Sequence, residues 1–194
     1  HDRTRVIINN SKASGEVQGT GNSIGGFCGK NGTHHGSVTI ENCHATGNVS
    51  GGSDGKIVGG FCGFNDNDDF ASTVTIKGSY ATGDVHGHED VGGFCGRNTS
   101  YHRTALIIDS YATGNVSGVE NVGGFCGRST ALIIDSYATG NVSGVKNVGG
   151  FCGWNCAGGD SKSAIRNSYA KGNVKGSSNV GGFCGQNSVW SLES

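Results

Sequence analysis

The sequence predicts an all-β chain wound as a right-handed parallel β-solenoid of six coils, each about 26–34 residues long. Three observations predict it. The string Gly-Gly-Phe-Cys-Gly occurs six times, beginning at Gly25, Gly59, Gly92, Gly123, Gly149 and Gly181, at spacings of 34, 33, 31, 26 and 32 residues. The residues around each copy alternate small or β-branched with polar, the period of a strand. Glycine supplies 38 of the 194 residues while proline is absent, which disfavours long helices and excludes the Gly-X-Y period of collagen. A propeller blade of four antiparallel strands needs about 40 residues, more than the shortest unit holds.

Each coil reads in the same order. An isoleucine element comes first, carrying Ile8, Ile40, Ile76, Ile107, Ile133 or Ile165. A corner such as Lys77-Gly78-Ser79 follows, then a segment in which Ala81, Gly83 and Val85 alternate with Tyr80, Thr82, Asp84 and His86. Another glycine turns the chain into Val-Gly-Gly-Phe-Cys, giving three short strands per coil. Strand parity puts Val91 and Cys95 on one face and Phe94 on the other, unless the glycine pair forms a bulge. An outward phenylalanine column would be an exposed apolar stripe. Length variation falls after the cysteine motif, from Gly127–Thr130 to Gly63–Thr73, at one edge of the coil where insertions are cheap.

The chain is one domain with coils at 1–30, 31–64, 65–97, 98–128, 129–154 and 155–187 and a tail at 188–194. Thr104–Cys126 and Thr130–Cys152 differ only at Glu120 against Lys146, the mark of internal duplication. Neither end reads as a polar cap, so the expectation is a segment of a longer solenoid or a subunit that stacks end to end. The net charge is −1 with no run of either sign, which argues against a nucleic-acid partner. No apolar stretch reaches the length of a membrane span.

Six cysteines share one phase: Cys28, Cys62, Cys95, Cys126, Cys152 and Cys184. They read first as a buried structural column of small hydrophobes. Cys43 and Cys156 lie outside that phase and are the candidates for a disulfide. Cys152-x3-Cys156 has no matching second pair for zinc, and no cofactor or metal is implied. The acidic loop Asp66-Asn67-Asp68-Asp69 lacks the spacing of a calcium loop.

The outward columns carry the candidate binding face: Tyr80, Tyr111, Tyr137 and Tyr169; Thr46, Thr82, Thr113 and Thr139; and Asn115 and Asn141 in a column shared with Asn48, Asp84 and Asn173. One reading is a structural ladder of stacked rings and hydrogen-bonded amides. The alternative is a face that binds glycans or surface polymers. An ice-binding plane is a further reading, which bulky tyrosine and charged Asp84 and Lys171 oppose by breaking flatness. No catalytic residues are assigned.

The Gly-Gly-Phe-Cys-Gly-x-Asn copies at Gly59–Asn65, Gly92–Asn98, Gly149–Asn155 and Gly181–Asn187 resemble the GLUG repeat. That repeat usually reads Gly-Gly-Leu-Val-Gly-x-Asn behind a segment like Ser110–Val116 or Ser136–Val142. Phe-Cys replaces Leu-Val in all six copies. The resemblance implies a bacterial surface or adhesin-like protein at an extracellular or cell-surface location. The metallopeptidase motif His-Glu-x-x-His found beside some such repeats is absent. The expected function is therefore a non-enzymatic structural or adhesive module, self-assembling into a filament or forming part of an adhesin stalk.

Overall fold

The computed structural model describes residues 4–69, 72–100, 105–158 and 163–190. Over these the chain winds as a parallel β-solenoid of five sheets, each six strands deep. Every strand pairs with its equivalent one coil away, in register: Ile76 with Ile40 and Ile107, Tyr80 with His44 and Tyr111, Val85 with Val49 and Val116, Cys95 with Cys62 and Cys126. Among the described residues no helix is long and apolar enough to cross a membrane.

One coil shows how the sequence produces this. The third coil runs Thr73–Lys77, Tyr80–Ala81, Val85–His86, Glu89–Gly92 and Cys95–Ser100. There are thus five strands per coil where alternation alone suggests three. Alternation continues unbroken from Ala81 to Val85, with Ala81, Gly83 and Val85 buried and Thr82 and Asp84 exposed. The chain nevertheless bends at Gly83, which splits the segment in two. A Cβ at Gly83 would collide with the carbonyl of Gly47 in the preceding coil, so only glycine lets the coils close up there. At the first corner Asn10, Asn42, Gly78, Asp109, Asp135 and Asn167 all take the left-handed conformation, with φ between 48° and 59°. These are the residue types that tolerate it.

The phenylalanines correct the parity argument. Phe61, Phe94, Phe125 and Phe151 are fully buried, and so are the neighbouring Cys62, Cys95, Cys126 and Cys152. Two consecutive amides share one acceptor: Phe94 N–H and Cys95 N–H both donate to the Phe125 carbonyl, each at 2.9 Å, and every coil-to-coil step repeats the arrangement. This bulge shifts the phase by one residue and turns both side chains inward. The phenylalanine column is therefore core, and no apolar stripe of Phe faces solvent in the central coils.

Two clusters fill the interior. Ile, Ala, Phe and Cys columns make the larger, and the Val columns with Ile24 make the smaller. Phe rings stack along the axis with centroids 4.8–5.0 Å apart, at the coil spacing of a β-stack. The variable segment lengthens strands as well as loops. Its strand is Cys126–Ser129 in the shortest unit, but Cys152–Gly158 and Cys184–Trp190 further on. The expected tail from 188 thus begins as strand, with Ser188 and Val189 paired to Cys156 and Ala157.

Candidate functional site

The tyrosines point outward because their partners in the same two-residue strands, the alanines, point in. His44, Tyr80, Tyr111, Tyr137 and Tyr169 form a continuous stack with centroids 4.7–5.0 Å apart and planes within 6° of parallel. Within the stack each ring face is covered by the next ring, so the column presents edges and hydroxyls to solvent. Burial, with the neighbouring phenols adding to it, pushes the Tyr111 hydroxyl above its ordinary pKa. Thr46, Thr82, Thr113 and Thr139 lie beside them at the bend, tied by their amides to the alanine carbonyls of the preceding coil.

The next outward column is a ladder. Asn48 Oδ1 accepts from the Asp84 amide at 2.9 Å, Asp84 Oδ1 from Asn115 N at 2.7 Å, Asn115 Oδ1 from Asn141 N at 3.1 Å, and Asn141 Oδ1 from Asn173 N at 2.9 Å. Two residues on stands a column of Ser50, His86, Ser117, Ser143 and Lys175. His86 Nδ1 lies 2.9 Å from Ser117 Oγ. Between the two columns the valines turn inward, leaving a groove of about 480 Å³ that touches every coil. Sequence reasoning singled out the asparagines but missed the serine column, although Ser recurs right after Val at residues 50, 117 and 143.

A second amide ladder, also missed, lies inside. Asn121 Nδ2 donates to Asp90 Oδ1, Asn147 Nδ2 to Asn121 Oδ1, and Asn179 Nδ2 to Asn147 Oδ1, each at 2.8 Å. All four residues have φ of 47–54°. Their recurrence two positions before four of the six Gly-Gly pairs was the available signal. Asp90 closes this ladder, since a carboxylate only accepts, and its other oxygen takes Arg97. Burial lifts the Asp90 carboxyl above its ordinary pKa, against the opposing pull of Arg97. Outside it, Arg128 lies 4.3 Å over the Trp154 ring. A third ladder links Asn31 to Asn65 and Asn65 to Asn98, each at 2.8 Å, and stops at Ser129, which stands in the asparagine position.

All eight cysteines are free thiols. Cys28, Cys62, Cys95, Cys126, Cys152 and Cys184 stack in register, and burial together with the neighbouring thiols raises the Cys126 pKa. The thiol of Cys95 donates to the Arg97 carbonyl at 3.1 Å. No disulfide joins Cys43 and Cys156, and the fold explains why they sit outside the main phase. Cys43 occupies the serine column at the first corner, where Ser11 N–H donates to its sulfur at 3.4 Å and its own amide donates to Ser79 Oγ at 3.2 Å. Cys156 lies in the cysteine-bearing sheet, in register with Ser188. Among the described residues no group of three His, Cys, Asp or Glu side chains gathers to hold a metal ion. His34 and His35 instead face Asp68 and Asp69 at 3.1 and 3.2 Å on the surface.

The GLUG motif model matches residues 20–50, 87–117 and 118–143, each window running from the glycine-rich corner into the valine strand. These three windows carry the GLUG motif. Over 101 residues it is 41% identical to Halomucin of Haloquadratum walsbyi (strain DSM 16790 / HBSQ001), a match covering 48% of this chain and 1% of that protein. The chain thus spans a very small part of the relative it matches. No solved structure matches it. GLUG repeats wound into a coil-on-coil parallel solenoid make this chain a structural repeat module.

Proposed function

We infer that the chain is a non-enzymatic rod segment of a cell-surface or extracellular protein, extended by stacking like coils end to end. The observation that carries this is the register. In each of the five sheets the pairing stays in register through six strands, so each coil offers the next the same kind of surface it was itself built on. A head-to-tail contact of this kind does not close on itself and yields a rod. Six coils at ~4.8 Å add about 30 Å to it. The kinship to Halomucin supports a surface setting.

Negative-stain electron microscopy of the purified chain over a range of concentrations tests this. Rods that lengthen with concentration, with or without reductant, are the expected result. Discrete particles of one size at every concentration would sink the stacking mechanism.

A further inference from the structure

The groove on the outside of the valine-and-serine strands has a chemistry of its own. A peptide strand cannot add to its floor, because the backbone there is spent between coils: Val116 N–H donates to Asn141 O and Gly118 N–H to Ser143 O. An apolar ligand meets only the edges of the valines, whose side chains point into the core. A polyanion meets Glu16 and Asp84 as well as Lys175 along the same groove. What recurs most along the walls is neutral. On one side are amides whose oxygens are taken by the next coil, which leaves their NH2 groups to turn outward, that of Asn115 already giving one bond to Asp84 Oδ1 at 3.2 Å. On the other side are the hydroxyls of Ser117 and Ser143.

We propose that this groove binds an extended neutral polysaccharide lying along the solenoid axis. Sugar hydroxyls both donate and accept, which suits a row of amide donors facing a row of hydroxyls. The tyrosine column contributes no stacking platform, because its ring faces are occupied by one another. Binding therefore rests on hydrogen bonds that are weak singly and are repeated from coil to coil, so that affinity grows with the length of polymer engaged.

Affinity electrophoresis in native gels cast with dextran, galactomannan or hydroxyethyl cellulose tests the proposal, with hyaluronan as the acidic comparison. The expected result is retardation by at least one neutral polymer, lost in Ser143→Tyr and in Ser117→Tyr. These outward substitutions block the groove, while Thr75→Tyr on another sheet leaves retardation intact. Circular dichroism verifies that each variant is folded. No retardation by any neutral polymer, retardation by hyaluronan alone, or unchanged retardation in both groove variants would overturn it. Wild-type protein gives an independent reading through competition with size-fractionated oligosaccharides. Longer fragments must compete better, and equal competition by short and long fragments also overturns the proposal.

Discussion

The exposed ladder from Asn48 to Asn173 and the buried ladder from Asp90 to Asn179 use the same side chain at the same repeat, and each contains one aspartate. They differ in what the side chain holds. Outside, each oxygen accepts a backbone amide of the next coil, while water remains available to every polar group. Inside, each amide is the partner of another amide, Asn121 is only 3% exposed, and the backbone beneath it is left-handed. An interrupted hydrogen bond is replaced by water in the first case and left unmade in the second. That asymmetry, more than the number of bonds, sets the energetic weight of a ladder.

The comparison can be broken most severely where the exposed ladder meets the backbone. Gly114 sits beside Asn115, and a Cβ there would strike the carbonyl of Gly83. Gly114→Ala is expected to cost ~4 kcal/mol. Urea denaturation showing less than about 1 kcal/mol would mean that the coils can separate at the bend. Replacing the asparagines themselves tests the contrast directly. Asn121→Ala strands the buried Asn147 amide, takes one of the partners of the Asp90 carboxylate and puts alanine at φ 52°, for a loss of ~3 kcal/mol. Asn115→Ala, at an exposed position, should lose ~1 kcal/mol. Equal losses in parallel denaturation curves would refute the distinction.

The aspartates sharpen it further through pH. Burial raises the native pKa of Asp90 above its unfolded value, so protonation favours the fold. Its contribution is full below the unfolded carboxylate pKa of ~3.9 and is lost as pH rises through the raised native value. Asp90→Asn should therefore flatten the decline of stability with rising pH over the mildly acidic range. Denaturation midpoints from pH ~4 to ~7 that fall equally in the variant would show that another group is responsible.

The repeat, the parallel stack and the Ile, Ala, Val and Cys columns are legible in the sequence because each follows from a period. What was illegible breaks the one-residue, one-rung assumption behind that period. Phe94 and Cys95 share one acceptor, so parity fails at the bulge. The bend at Gly83 divides a segment whose alternation never falters. Cys43 looked like a pairing partner because cysteines were compared with cysteines. Compared by column, it is a substitute for serine. The asparagines of the buried ladder were passed over because an amide in the interior of so small a coil runs against composition-based expectation. Only their left-handed backbone and their mutual bonding make the position suitable.

The two buried amide columns run in opposite senses. Donation passes from Asn179 through Asn147 and Asn121 to Asp90 in one, toward the first coil. In the other it passes from Asn31 through Asn65 to Asn98, and again from Asn155 to Asn187, toward the last. Side by side they are antiparallel rows of dipoles. An α-helix accumulates a field along its axis from aligned peptides. Here the axial moments of the two rows offset each other, so lengthening the rod builds up no electrostatic strain between its ends from these columns.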